Sequence, residues 1–310
     1  MARVHFLNVG DGACSVIEHD DKAVTMIDIC GGDYPIEYLK RLSVKSIFRF
    51  ILTHPDMDHL DGLAGLAGTF NIYNFWDTKN SKEIDTSKKE GRFNPDDWKC
   101  YQHLRQCKSK PKALFYLDGA SNKYFSKTDD GNKTDDYLQI LSPTNKLLEE
   151  AIEKNDYNIS SYVVLYNIQG FKILFCGDAT ARTMAHLIDK HAKDIANIDV
   201  LVAPHHGRQG DFNDFSYLDL MRPRFVVAQD VDDEFIPSDV YKKYKIWKLL
   251  LSRTDDVIMQ IKNGGISIAV TNKKFADVIN AKRGRHITCR ALFAKVNAWW
   301  LSFNIPAEEY

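Results

Sequence analysis

Long hydrophobic runs are missing from the 310-residue chain, and no apolar stretch approaches the roughly 18 residues that a membrane-spanning helix requires. No association with a membrane is therefore expected. The opening MARVHFLNVGDG reaches Asn8, Gly10 and Asp11 too soon to hold the apolar segment of a secretory signal, so a cytoplasmic protein is the expectation. An excess of one charge is lacking as well, because 41 Lys and Arg stand against 42 Asp and Glu. No global field advertises nucleic acid, a membrane or an acidic substrate, and any such partner has to be read from local patches. Cysteine is sparse: Cys14, Cys30, Cys100, Cys107, Cys176 and Cys289 are scattered without a C-x-x-C pair, which favours reduced thiols over a disulfide framework. No internal repeat recurs at a solenoid period, so the chain reads as one large globular domain or one domain with an appended piece.

What is present suffices for a sizeable core, with 44% hydrophobic and 12% aromatic residues. Short β-branched or aromatic runs alternate with turn signals at Val4–Val9, Cys14–Glu18 and Ala23–Ile29, which predicts a β-meander. A short helix is expected over Pro35–Leu42, and an apolar strand over Ser46–Thr53 that stops at His54. GLAGLAGTFNIYNF, from Gly62 to Phe75, reads as a small-residue helix and then a strand. Lys79–Lys112 differs in kind: ten Lys or Arg face five Asp or Glu, with Phe93, Trp98 and Tyr101 interleaved. Together with the polar loop beyond the Ala113–Leu117 strand, it predicts a basic insertion at about 79–136. Further strands are expected at Tyr137–Leu141, Phe171–Cys176, Ile198–Ala203 and Pro223–Gln229, with an amphipathic helix over Ala181–Ile195. A hairpin is expected from Val257–Ile261 and Ile266–Val270 around Asn-Gly-Gly. The domain is read as 1–272, followed by a helical or irregular extension over 273–310.

Chemistry concentrates where strands end. THPDMDHLDG, residues 53–62, sets His54, Asp56, Asp58 and His59 in one loop; Asp178 follows the Phe171–Cys176 strand, and His205 and His206 follow Ile198–Ala203. Imidazoles and carboxylates packed this closely repel and desolvate one another without a cation to neutralise them. One or two divalent ions are the natural resolution, with imidazole suiting Zn and the carboxylates hardening the site toward Mn.

These strings resemble the metallo-β-lactamase superfamily, whose signature is H-x-H-x-D-H. More narrowly, H-P-D-x-D-H resembles the metal-binding domain of the competence family called ComEC or Rec2. HFLNVGDGACSVIE with VTMIDICGG, NISSYVVLY with FKILFCGDA, and VLVAPHHG carry the resemblance in order over most of residues 3–270. It implies an α/β (α+β) fold, the αββα four-layer sandwich of two mixed sheets. It also implies His54 and Asp56 at one metal position, Asp58 and His59 at the other, Asp178 bridging both, and His206, or else its neighbour His205, as the last ligand. Asp28 resembles an aspartate that orients a ligand histidine, against the reading of an ordinary strand-end turn former. A third histidine usual for the first metal is absent, and Asn158 stands near its place. The resemblance further implies hydrolysis by a metal-activated water held in line by Asp58 or Asp178. The substrate is then expected to be a phosphodiester of nucleic acid, which the basic insertion would grip; an alternative is a small ester or cyclic nucleotide. A third reading is a metal-stabilised binding or scaffold protein with little or no catalysis, whose C-terminal region, Lys273 to Trp300, docks a partner protein or a second copy of the chain.

Overall fold

The computed structural model describes residues 1–84, 94–126, 135–209, 214–229, 233–284 and 288–306. Six strands come first: β1 (Ala2–Phe6), β2 (Ser15–Glu18), β3 (Val24–Ile27), β4 (Ser46–Ile51), β5 (Asn71–Trp76) and β6 (Lys112–Leu114). Between them lie α1 (Asp33–Arg41), α2 (Leu63–Thr69) and α3 (Pro95–Leu104). After α4 (Lys123–Ser126) the chain builds β7 (Asp136–Ser142), α5 (Asn145–Lys154), β8 (Val163–Ile168), β9 (Phe171–Phe175), α6 (Ala181–Ile195) and β10 (Val200–Val202). Then come α7 (Tyr217–Met221), β11 (Phe225–Ala228), α8 (Ser238–Lys243), β12 (Trp247–Leu250) and α9 (Leu251–Thr254). The chain finishes with β13 (Val257–Lys262), β14 (Gly265–Val270), α10 (Lys273–Lys282), β15 (Arg290–Phe293) and β16 (Val296–Pro306).

Two mixed sheets result. One has the order β15-β16-β14-β13-β1-β2-β3-β4-β5-β6, and the other β12-β11-β10-β9-β8-β7. Strand alternation explains how they stack. Val4 and Phe6 of β1, Met259 and Ile261 of β13, Val164 and Tyr166 of β8, and Ile173 and Phe175 of β9 all enter one cluster between the sheets. Their sequence neighbours point the other way: Ile258 packs under the helical layer of α1, α2 and α3, and Leu165 and Leu174 under that of α6, α7 and α8. Three apolar layers separate four structural ones, which is the αββα sandwich. Each fully buried large apolar side chain contributes about 1.5–3 kcal/mol relative to exposure, and period-two alternation lets one strand feed two layers.

Two expectations need correction. Among the described residues, the tail expected to be helical or irregular contains one helix, α10, and then two strands; β16 pairs antiparallel with β14, so the tail extends the first sheet. Trp299 and Trp300 pack against the buried clusters on either face. RALF and VNAWW are short and broken by Arg290, Asn297 and Ala298, which hid this; of the two strands only β15 lies at the sheet edge. The basic segment also differs from its expected form. Residues 85–93, with Phe93, lie outside the described residues, but Trp98 is 6% exposed and Tyr101 fully buried on the inner face of α3. They serve the core and present no stacking platform, while Lys99, Lys108, Lys110 and Lys112 remain exposed. All six cysteines are free thiols. Among the described residues no helix is long and apolar enough to cross a membrane.

Candidate metal centre

Strands β3 and β4 run parallel in the first sheet, and β9 and β10 run parallel in the second. The carboxyl ends of all four deliver the polar residues: Asp28 after β3, His54 to His59 after β4, Asp178 after β9, and His205 and His206 after β10. Backbone bonds lock these loops to one another. The His205 N–H donates to the Gly177 carbonyl at 3.0 Å, and the Tyr162 N–H to the Thr53 carbonyl at 2.9 Å. Glycine is required at the join: Gly177 has φ +50, and a Cβ there would stand 2.8 Å from Thr53 Cβ. Gly12 serves similarly, since a Cβ on it would lie 2.7 Å from the Asp58 carbonyl oxygen, while the neighbouring Ala13 N–H bonds that oxygen at 3.1 Å.

Around Asp178 the side chains converge. His59 Nε2 lies 3.1 Å from Asp178 Oδ1. Asp178 Oδ2 is 3.4 Å from His206 Nε2, 3.5 Å from His205 Nε2 and 3.8 Å from His54 Nε2. His206 Nε2 is also 3.4 Å from Asp58 Oδ2, and His54 Nε2 is 3.8 Å from Asp56 Oδ1. Asp58, His59, Asp178 and His206 offer one ligand atom each within 4.8 Å of one another. Four ligands held tetrahedrally at about 2.1 Å from a zinc-sized ion stand about 3.4 Å apart, so this spacing suits a cation at their centre. His54 and His205 lie outside this set but also face Asp178 Oδ2, and Asp56 faces His54.

His54 Nε2, His59 Nε2, His206 Nε2 and Asp178 Oδ1 are buried without a hydrogen bond. Buried polar atoms left so are costly, and a divalent cation among them would offset that cost. His205 (φ 48) and His206 (φ 57) both hold left-handed backbone, a conformation that costs about 1–2 kcal/mol per non-glycine residue and persists where a site over-determines it. Asp28, also left-handed at φ 58, accepts the Thr53 N–H and hydroxyl at 2.7 Å each and faces His59 Nδ1 at 2.8 Å. With Nδ1–H donated to Asp28, Nε2 of His59 is left to face Asp178 as a lone-pair donor.

A family model described as the Metallo-beta-lactamase superfamily matches residues 7–228. The chain belongs to this superfamily. Among solved structures, this metallo-β-lactamase-fold chain is similar to Igni18, a metallo hydrolase from Ignicoccus hospitalis, at 16% identity and a TM-score of 0.50, over 84% of this chain and 100% of that one. It is similar to Tm1679, a metal-dependent hydrolase, at 11% identity and a TM-score of 0.53, over 85% and 100%. The E377D mutant of the β-hydroxylase CmlA aligns at 12% identity and a TM-score of 0.52, over 84% of this chain and 54% of that one. Among curated protein sequences none matches significantly. These likenesses share the sandwich.

Electrostatics within the metallo-β-lactamase fold divide the histidines. Burial and the neighbouring His59 hold His54 below the usual imidazole range. For His59, burial is outweighed by the carboxylates of Asp178 and Asp28, which lift it well above that range. His206 is pushed up to about 9, again because Asp178 and Asp58 outweigh burial. Asp58 and Asp178 are held low in turn, against the cost of burial, by the imidazoles of His206 and His59. A metal needs neutral imidazole, so uptake at pH 7 displaces protons. The sign follows: with His206 protonated below about 9, raising pH from 6 to 8 is expected to strengthen metal binding by roughly tenfold per pH unit for each proton displaced. Isothermal titration in buffers of different ionisation enthalpy checks this; binding without proton release contradicts it.

Asp56 pairs with Lys82, whose ammonium also lies 5.7 Å from the Tyr157 ring centre. Lys82 was not singled out in the sequence, where it is one of ten basic residues in its segment. Of the adjacent histidines, His206 reaches both Asp58 and Asp178, whereas His205 reaches Asp178. Asn158 does not join the cluster by any described hydrogen bond; it sits in the 3₁₀ turn Tyr157–Ser160, its N–H capped by Asp156.

Proposed function

We propose that this protein is a metal-dependent phosphodiesterase whose substrate class is nucleic acid. The observation that carries the reading is the convergence of Asp58, His59, Asp178 and His206, whose ligand atoms lie within 4.8 Å of one another, with Zn or Mn as the fitting ion. A divalent ion held there would supply an acidified water and stabilise the negative charge developing on the phosphoryl oxygens. Asp58, about one-third exposed while Asp178 is buried, stands at the mouth, where its free carboxylate edge can orient the attacking water and take its proton. Asp178 and the three buried imidazoles hold the floor. Lys82, paired with Asp56, would offer a cation to an entering phosphate oxygen. The H-P-D-x-D-H string and its resemblance to the competence family support nucleic acid, as do the exposed lysines of the basic segment.

Burial of Trp98 and Tyr101 favours a second reading, a compact phosphodiester such as a cyclic nucleotide, since no aromatic platform for successive bases is offered by those two residues. The test is cleavage of labelled single- and double-stranded DNA, and of a small chromogenic phosphodiester, by protein loaded with Mn²⁺ or Zn²⁺. DNA cleavage is expected, reduced about 10²–10⁴-fold in Asp58→Ala, with a raised KM and a nearly unchanged kcat in Lys82→Met. Turnover of the small ester alone would move the substrate class. Turnover of neither by metal-loaded protein would sink the hydrolytic reading and leave the scaffold role, with the tail from Lys273 as its docking region.

A further inference from the structure

A second convergence of imidazole and carboxylate shares no residue with the first. His186 and His191 lie on α6, and Asp118 lies in the segment joining β6 to α4. His191 Nε2 is 2.8 Å from Asp118 Oδ1, and His186 Nε2 is 3.2 Å from Asp118 Oδ2. All three residues offer ligand atoms within 4.8 Å of one another. Asp118 Oδ1 and both Nε2 atoms are buried, yet none makes a hydrogen bond of acceptable geometry. Three donor atoms are thus gathered in one place without the hydrogen bonds that would satisfy them.

The helix is bent to allow this. Residues five apart on an ideal α-helix stand about 140° apart around its axis and do not share a face. Here His191 leaves helical geometry (φ −120, ψ 21) and brings its ring to 5.7 Å from that of His186. Sharp breaks within helices have causes such as Pro or Gly, and the sequence of α6, ARTMAHLIDKHAKDI, has neither. Two further contacts prepare the donors. Asp194 Oδ2 lies 3.1 Å from His191 Nδ1, which aims Nε2 at Asp118 in the carboxylate–histidine arrangement common around bound metal. The Asp118 N–H donates to the Pro143 carbonyl at 2.8 Å, and the Gly119 N–H to the Ile140 carbonyl at 3.2 Å, fixing the loop against β7.

We propose that Asp118, His186 and His191 form a second metal site, for Zn²⁺, that clamps the β6–α4 connection to α6. The donor set of two imidazoles and a carboxylate suits zinc, with solvent completing the tetrahedron. The site stands independently of the phosphodiesterase reading, because it uses other residues and its readout is metal content.

Protein stripped with a chelator, reloaded with ZnCl₂ and passed through gel filtration is expected to carry one zinc equivalent more than the His186→Ala/His191→Ala variant. Asp178→Asn, altered only at the first centre, is expected to keep that equivalent. Equal zinc in the wild type and the double variant overturns the proposal. Should the double variant fail to fold, anomalous diffraction at the zinc edge on wild-type crystals decides. A peak within bonding distance of both Nε2 atoms and Asp118 supports the site, and its absence in zinc-loaded crystals overturns it.

Discussion

Asp178→Asn is expected to strip the main centre of tightly held metal and to lower hydrolysis by at least about three orders of magnitude, ~4 kcal/mol of transition-state stabilisation. The reason is position. Its two oxygens lie 3.1–3.8 Å from four imidazole nitrogens, those of His54, His59, His205 and His206, so one carboxylate is the common neighbour of both halves of the cluster. An amide preserves the volume but removes the negative charge that offsets a crowd of buried rings. It also turns one ligand oxygen into an N–H₂ that repels both metal and protonated histidine. His59 and His206, raised above the ordinary range chiefly by this carboxylate working against burial, would fall in pKa, and part of the folded-state ion pairing would go with it. Metal content by emission spectroscopy and turnover of the phosphodiester check the two halves separately. Full metal content in the variant would show that Asp178 is not the common ligand.

Much of this was legible because the chemistry sits in single loops at strand ends. Asp56, Asp58, His59, Asp178 and His206 are each fixed by a short string in which an apolar strand gives way to ligand-type residues, and period-two alternation predicts the strands themselves. The uncertain points were those set by three-dimensional approach. Whether His205 or His206 reaches Asp58 depends on left-handed backbone at both residues, which no side-chain pattern signals. Lys82 finds Asp56 across 26 positions, and Asp118 finds α6 across about 70; neither pairing leaves a local motif. His186 and His191 look unrelated at a spacing of five until the helix bends. Tail strands β15 and β16 were missed because β16 gains its place by pairing with β14, and β15 in turn with β16, long-range partners that their own sequence does not advertise.

Asp28 offers the second large effect, and it separates positioning a ligand from merely turning a strand. Asp28→Ala leaves the Thr53 N–H, the Thr53 hydroxyl and the His59 ring without the acceptor they share. All are buried, so a stability loss of about 3 kcal/mol is expected, enlarged by placing alanine at φ 58. Asp28→Asn is the sharper probe. Asparagine tolerates left-handed backbone and keeps one acceptor oxygen for Thr53. Its N–H₂ would then face His59 Nδ1, and the ring would answer by taking the opposite tautomer. That puts a proton on Nε2, the atom that faces Asp178. Metal affinity is therefore expected to fall about 10–100-fold, while the melting temperature of the metal-free protein stays within a few degrees of wild type. Calorimetric melting of the stripped protein beside metal titration checks the split. Wild-type metal affinity in Asp28→Asn would mean that the aspartate serves the turn at the end of β3 and leaves the orientation of His59 to its packing.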